Sequence, residues 1–428
     1  MARTQIATRI VVVAVDPPPI WNLPAATPYR RSSWVGGGQQ TLYELAVAAA
    51  AAGYEVELRG EIEFAMLDEL ANAAGARPAT PTVERRPDSD DIVVISEGGW
   101  DPLRFARLVL SPARVVLAVL APTGLFGWPF AGRTATPDPM TVALEQLART
   151  EHFAAIAELD IDVWTHMGLV HEVASAAGAR SELIGNGSPV AVGGEPAVKD
   201  IDVAYLEGSR WRGLAEQAAA LMTRPVHAIP SGDRASVLGT IARAKILIWP
   251  ARIEGHGRVL CEARAVGTVV VGLSSNSYAT GLNAESGAIA VDQLEAIPAV
   301  VERLLADDRW RGELADAGRR TAAAQVDWPA YVERVGAAIE RVQLRAPAPA
   351  VQALASFGRR VGDIVAQRDR LVGELAATTS ALDETRGQLV EVTAALTAAR
   401  AQGAGERRIP ARLAGLVRRA RSHAPAAR

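Results

Sequence analysis

The chain has 428 residues, of which 49% are hydrophobic and 22% are charged. These fractions are typical of globular proteins and exclude a chain that is disordered throughout. The single cysteine, Cys261, excludes a disulfide scaffold and favours a cytoplasmic protein, because thiols stay reduced there. No apolar run reaches the roughly 18 residues that a membrane-spanning helix needs.

The net charge of −3 is unevenly distributed along the chain. The last segment, 403–428, holds seven arginines and one glutamate, a net charge of +6, so the remainder is mildly acidic. A basic tail on an acidic body is not typical of a protein that binds nucleic acid, and no nucleic-acid partner is expected.

Short β-branched runs alternate with longer helical patterns in the first half of the chain. The predicted strands are Ile10–Val15, Glu55–Arg59, Ile92–Ser96, Arg114–Leu120 and Asp162–Thr165. Helices are predicted over Gln40–Ala52 and Met140–Leu159. This alternation indicates parallel strands joined by crossover helices.

The same pattern restarts after a stretch at Ile184–Lys199 that contains glycine and proline. Strands are predicted over Ile201–Leu206, Val226–Ile229, Ile246–Pro250 and Val269–Leu273. The predicted helices are Arg212–Met222, Ala235–Ala244, Arg258–Val266, Ile297–Asp307 and Arg309–Ala324. We expect an α/β protein with two Rossmann-like domains, 1–184 and 185–325, that face a cleft, and a closing helix over 326–345.

A heptad repeat lies within the segment 351–402, after Pro347 and Pro349. Its a positions are Val361, Arg368, Leu375, Leu382, Leu389 and Leu396, and its d positions are Ile364, Leu371, Thr378, Thr385, Val392 and Ala399. Six heptads favour a C-terminal coiled coil and a homo-oligomer formed through 361–399. The alternative is a single amphipathic helix that lies on the globular body.

The tail, 403–428, contains a basic stretch over 407–421 in which arginines surround a few apolar residues. Such a stretch can lie on an anionic membrane surface. A solvated tail without fixed structure is the other interpretation.

The segment from Ile246 to Gly272 contains the candidate chemistry. A glycine-rich loop follows its first strand and leads into a helix; the loop holds Glu254, Gly255, His256 and Gly257. Glycines let the backbone approach a ligand closely, and a helix N-terminus directs free N–H groups and a partial positive charge at it. This pattern favours a phosphate or diphosphate, with Glu254 and Glu262 able to hold ligand hydroxyls on either side.

At this point the residues resemble a known family. Glu254 and Glu262 lie in the setting PxxxEGxGxxxxEAxAxG, which resembles the E-x7-E motif of glycosyltransferase family 4. Other short motifs resemble those of the family and occur in the same order along the chain: Gly36-Gly37-Gly38-Gln39, Asn186-Gly187 and Arg212-Gly213. The resemblance covers roughly residues 8–342.

The resemblance implies the GT-B fold, with an acceptor-binding first domain and a second domain that binds a sugar nucleotide. It implies a retaining glycosyltransferase that moves a sugar from a nucleoside diphosphate sugar to an acceptor hydroxyl, with no metal and no other cofactor. A glycan or lipid-linked acceptor in cell-envelope or surface-polysaccharide synthesis would suit the basic tail. The protein would then be cytoplasmic and peripheral at the inner face of the membrane.

The family's site residues carry over by position. Glu254 is the candidate catalytic residue, because it should touch the transferred sugar, and Glu262 should bind the donor ribose. Positive partners for the diphosphate are sought among the nearby arginines, since the leaving group gains charge. The donor-binding candidates are Glu262, Gly255, His256, Gly257, Arg258, Arg210, Arg212, Gly37 and Gly38.

Two features depart from the family pattern. The stretch Ala118–Thr123 lacks the histidine that many members place after a first-domain strand, and His166 is interpreted as an ordinary core or surface histidine. The arginine segment 207–213 is compressed. These departures leave open a non-catalytic GT-B scaffold dimerised by the coiled coil. A third alternative keeps the fold but changes the reaction, as in a sugar-nucleotide epimerase.

Overall fold

The structure, a computed structural model, describes most of the chain. The described residues are 9–13, 25–28, 37–83, 87–96, 113–120, 153–154, 156–157, 161–190, 197–209, 211–232, 234–251, 257–274, 281–345 and 350–401. The chain divides into two units, 1–357 and 358–428, and each is described by itself. The two large sheets lie in the first unit.

The first lobe is built on a sheet of six parallel strands. In chain order these are β1 (Arg9–Val13), β3 (Glu55–Arg59), β5 (Asp91–Ser96), β6 (Arg114–Val119), β7 (Asp162–Thr165) and β8 (Arg180–Leu183). Their spatial order is β3-β1-β5-β6-β7-β8. Two short strands, β2 (Thr27–Pro28) and β4 (Glu61–Ile62), form a separate pair. The central strands are β-branched runs that are buried along almost their whole length, as in a parallel sheet covered on both faces.

Three helices of this lobe are α1 (Gly37–Ala51), α2 (Phe64–Ala74) and α3 (Gly168–Ala176). Helix α1 is buried on every side from Gln40 to Ala49. Its composition explains this, because a helix that is apolar nearly all round belongs inside a protein. Its one acidic residue, Glu44, is buried with the rest.

The second lobe repeats the architecture with five parallel strands. These are β9 (Ile201–Leu206), β10 (His227–Ile229), β11 (Ala244–Trp249), β12 (Val269–Leu273) and β13 (Ala288–Val291), in the spatial order β10-β9-β11-β12-β13. Its helices are α4 (Arg212–Ala220), α5 (Arg234–Arg243), α6 (Arg258–Ala265), α7 (Ile297–Ala306) and α8 (Asp308–Gln325). The order of strands reverses direction between β9 and β11, which makes this the topological switch point of the sheet.

Helix α9 (Trp328–Gln343) returns the chain to the first lobe. The Asp327 carboxylate caps it by accepting a hydrogen bond from the Ala330 N–H at 3.1 Å. Its buried face, which includes Tyr331 and Ile339, belongs to the core of the first lobe together with α1. The Tyr331 side chain packs closely against Gly187, where an added Cβ would lie 2.3 Å from the Tyr331 Cβ.

A single long helix, α10 (Ala350–Ala401), follows. Several apolar side chains of the heptad repeat are exposed on it: Leu371, Leu375, Leu382 and Leu389. None of the described helices is both long enough and apolar enough to cross a membrane.

The prediction of an α/β protein with parallel sheets is confirmed, but several elements were missed. Strands β8 and β13 and helices α2 and α3 were not predicted. Strand β8 reads Arg-Ser-Glu-Leu and is only partly buried at the edge of its sheet, so it carries no apolar pattern. The predicted helix Met140–Leu159 lies outside the described residues except at 153–154 and 156–157, which are helical.

Helix α9 provides a test of the fold. Ile339→Ala removes a fully buried side chain from the first lobe's core and should lower the free energy of unfolding by about 2–5 kcal/mol. Glu333→Ala, at an exposed position of the same helix, should change it by less than about 0.5 kcal/mol. Urea unfolding followed by circular dichroism measures both, and equal stability of the two variants would contradict the packing of α9.

Candidate functional site

The candidate site lies at the switch point of the second sheet. In open parallel sheets, ligands bind beyond the carboxyl ends of the strands where the strand order reverses. The strands on either side of this point are β9 and β11, which are followed by the segments 207–211 and 250–257. Both predicted motifs therefore begin at the same edge of the sheet: the compressed arginine segment after β9 and the glycine-rich loop after β11.

Some of the predicted site residues lie outside the described residues: Glu254, Gly255, His256 and Arg210. Their roles stay predictions. Gly257 is described and directly precedes helix α6, whose first residue is Arg258. On the first lobe, helix α1 begins with Gly37 and Gly38. A Cβ on Gly38 would lie 3.6 Å from Leu120, so this helix start lies close to the residue that follows β6.

Glu262 lies one turn into α6, and its side chain is only 10% exposed. The carboxylate borders a pocket where α6 meets the two segments that link the lobes. The lining residues are Asn186, Gly187, Ser188, Arg258, Cys261, Glu262 and Val326. Arg234, the first residue of α5, donates from Nε and Nη2 to the same Glu262 oxygen, Oε1, at 3.2 and 3.1 Å.

Arg258 reaches from α6 to the first lobe. Its Nη1 donates to the Glu44 carboxylate at 2.5 Å, and the two side chains are 16% and 2% exposed. Burial disfavours the charge on Arg258, but Glu44 beside it holds the pKa of the guanidinium above its ordinary value. Arg258 Nε is also buried and has no hydrogen-bond partner among the described residues. This guanidinium thus joins the lobes through Nη1, while its Nε is buried without a partner among the described residues.

Arg212 occupies the first position of α4 at the same edge of the sheet. Its Nε donates to Glu216, one turn further along the helix, at 2.6 Å, and its side chain is 56% exposed. The arginine is therefore held to its own helix by a surface ion pair, an interaction worth little in stability.

Two further titratable groups are buried near the pocket. His166 follows β7, and its Nδ1 contacts the Gly185 carbonyl, which can only accept a hydrogen bond. Burial lowers the pKa of His166 to about 4, so the neutral ring carries its proton on Nδ1 at pH 7. Burial raises the pKa of the Cys261 thiol to about 11, which leaves it protonated and unreactive.

Sequence reasoning missed two residues that the structure brings to the site, Glu44 and Arg234. A glutamate inside an otherwise apolar helix was the available signal for Glu44, because a buried carboxylate needs a partner. Arg234 gave no such signal, since its contact with Glu262 joins residues 28 positions apart.

No metal centre is formed by the residues that the structure describes, since they contain no group of three or more His, Cys, Asp or Glu side chains placed to hold an ion.

Comparison with solved structures gives the fold. Sucrose-phosphate synthase from Thermosynechococcus elongatus is 15% identical, with a TM-score of 0.52, over 78% of this chain and 99% of that one. HepE from Anabaena, solved in complex with UDP and glucose, is 13% identical, with a TM-score of 0.52, over 78% of this chain and 100% of that one. This similarity supports the expected two-lobed GT-B architecture. No protein-family model matches the chain, and no curated protein matches it either.

The ion pair between the lobes gives a prediction. Glu44→Gln and Arg258→Gln should each lower the free energy of unfolding by about 3–5 kcal/mol, because each leaves a buried charge without its partner. The loss in the free energy of unfolding should be clearly smaller in the double variant than the sum of the losses in the two single variants. The exposed pair Arg309–Glu313 is the control for this double-mutant cycle, measured by urea unfolding, and its coupling should stay near 0.5 kcal/mol. Additive effects at Glu44 and Arg258 would show that the pair does not couple the lobes.

Proposed function

We propose that this protein is a glycosyltransferase that moves a sugar from a nucleoside diphosphate sugar to a hydroxyl group of an acceptor. The observation that carries the proposal is the position of the glycine-rich motif. It begins at the switch point of the second sheet and leads into helix α6, where Glu262 borders a pocket beside two arginines. HepE and sucrose-phosphate synthase, which share the fold, support this choice of reaction, and HepE was solved with UDP and glucose.

Each part of the site has a role in the proposal. Glu262 binds the ribose of the donor, and the backbone N–H groups from Gly255 to Arg258 bind the diphosphate at the start of α6. Arg258 adds a positive charge, and its buried Nε is a donor without a partner among the described residues. Glu254 contacts the transferred sugar and is the proposed catalytic residue. The remaining proposed donor contacts are His256, Arg210, Arg212, Gly37 and Gly38.

The proposed reaction breaks the bond between the anomeric carbon and the diphosphate oxygen. The acceptor oxygen forms the new bond to the same carbon, and its proton passes to the departing diphosphate. The arginine and the helix N-terminus stabilise the negative charge that grows on the leaving group. Retention of the anomeric configuration is part of the proposal and rests on the resemblance to glycosyltransferase family 4.

The acceptor is proposed to be a glycan or a lipid-linked precursor of an envelope or surface polysaccharide. This part rests on the basic tail, whose segment 407–421 lies outside the described residues. Its arginines would attract the protein to an anionic membrane surface, and this attraction would weaken as salt increases.

A thermal-shift screen against UDP, GDP, dTDP and ADP tests the donor site. One of them, at 100 times its dissociation constant, should stabilise the protein by about 2.7 kcal/mol. Glu262→Ala should abolish the shift because the ribose loses its carboxylate partner. Glu313→Ala, an exposed substitution on α8, is the control and should keep the full shift.

The outcomes separate the alternatives. No shift with any diphosphate would favour a scaffold that has lost its donor site. A shift that Glu262→Ala leaves unchanged would remove the ribose role of this residue. Consumption of a sugar nucleotide without any acceptor would favour an epimerase.

We also propose that helix α10 pairs with α10 of a second copy through 361–399. Leu371, Leu375, Leu382 and Leu389 are exposed by 40% to 67%, which is a large apolar surface for one helix to leave in water. Two d positions are threonines, and their hydroxyls donate to carbonyls of their own helix at 2.8 Å: Thr378 to Glu374 and Thr385 to Ala381. Because these polar groups are already satisfied, threonine can face a partner helix without losing a hydrogen bond.

Light scattering coupled to size-exclusion chromatography tests this pairing on the full chain. The wild type should elute as a dimer, and Leu382→Lys, at an a position, should give a monomer because it places a charge in the apolar seam. Glu384→Lys lies two residues further along, outside the seam, and should remain a dimer. A wild type that is monomeric at micromolar concentration, or a dimeric Leu382→Lys variant, would contradict the coiled coil.

A further inference from the structure

Arg234 and Glu262 form a contact that the proposed reaction has not yet used. Two N–H groups of the guanidinium, on Nε and Nη2, point at one carboxylate oxygen, Oε1, at 3.2 and 3.1 Å. Charge-assisted hydrogen bonds of this kind are stronger than those between neutral groups. The second oxygen, Oε2, takes no part in either bond, so the contact leaves it available for a ligand.

The surroundings of Arg234 fix its position. It is the first residue of α5, and its side chain is 26% exposed, so it is held between protein groups while one side remains open to solvent. Its Nη1 lies 3.9 Å from Glu69 of helix α2 in the first lobe. The guanidinium therefore lies between acids of both lobes, and its strongest contact is with Glu262.

We propose that Arg234 is a positioning residue that fixes the Glu262 carboxylate for recognition of the donor ribose. A free glutamate side chain samples many rotamers, and ordering it costs conformational entropy. A guanidinium that holds Oε1 removes most of this freedom before the ligand arrives. Oε2 then accepts hydrogen bonds from ribose hydroxyls. This inference rests on the proposed function, because it gives the partner of the same carboxylate.

A fixed Glu262 carboxylate should make the site selective for ribose. A fixed carboxylate that accepts from the 2′-hydroxyl binds ribose better than 2′-deoxyribose, because the deoxy ligand leaves the acceptor unpaired. A carboxylate that can rotate away from the ligand is not left unpaired by 2′-deoxyribose, so it distinguishes poorly between the two sugars. Loss of Arg234 should therefore reduce the ratio of the 2′-deoxynucleotide and ribonucleotide dissociation constants. A structural defect would instead weaken the binding of both nucleotides by the same factor.

Isothermal calorimetry with UDP, GDP and ADP and with their 2′-deoxy counterparts tests this. For the nucleotide that binds, the wild type should prefer ribose by about tenfold or more, as expected for one charge-assisted hydrogen bond. Arg234→Gln should raise the dissociation constant of the ribonucleotide about tenfold. The ratio of the 2′-deoxynucleotide and ribonucleotide dissociation constants should then be close to one. The matched control is Arg243→Gln at the other end of α5, where the arginine pairs with the exposed Asp200, and it should keep the wild-type ratio.

The results distinguish failure of this inference from failure of the proposed function. If no nucleotide binds, the donor site is overturned and the inference with it. If a nucleotide binds Glu262→Ala as well as the wild type, the ribose role of Glu262 is removed, and the inference fails while the donor site stands. If Glu262→Ala loses binding but Arg234→Gln keeps the wild-type ratio, Arg234 has no positioning role. Arg234→Lys keeps the charge but cannot direct two N–H groups of a planar fork at one oxygen, so it should not restore the full wild-type ratio. Full recovery by lysine would overturn the geometric argument.

Discussion

The ion pair between Glu44 and Arg258 is the constraint on which the two-lobed structure depends. Glu44 lies in a helix that is otherwise apolar and surrounded by protein, where an unpaired carboxylate would be strongly unfavourable. Its partner comes from the other lobe, 214 positions along the chain. Within its own helix this carboxylate accepts only a hydrogen bond of 3.4 Å from the Gln40 amide, and its charge is paired when the start of α6 lies against α1. The position of helix α6 is therefore coupled to the approach of the two lobes.

Ion pairs between the lobes also determine the electrostatics of the candidate site. The two arginines at the starts of α5 and α6 pair with acids of the first lobe, Glu69 and Glu44. Positive charge at the carboxyl edge of the second sheet is thereby held between the lobes rather than spread over the surface. Helix N-termini contribute partial positive charge at the same edge. An anion that enters here meets charges whose positions are already fixed, which is the condition for electrostatic stabilisation without reorganisation.

The sequence predicted the parts of this protein that rest on local patterns. Buried parallel strands are continuous β-branched runs, so β5, β11 and β12 could be found, and the glycine-rich motif could be found because its residues are contiguous. Edge strands such as β8 could not, since partial burial removes the apolar signal. Glu44 and Arg234 were missed for a different reason. Their roles depend on contacts between elements that are far apart in the chain, and no local pattern encodes such a contact.

Helix α9 has a consequence for how the protein is made. The core of the first lobe contains strands that end by residue 183, yet Tyr331 and Ile339 complete it. At about 5–20 residues per second, a ribosome needs about 7–30 s to synthesise the intervening second lobe. During that interval the first lobe has an uncovered apolar surface on α1, while the second lobe can already fold on its own sheet. The lobe that is synthesised first is therefore the one that is completed last.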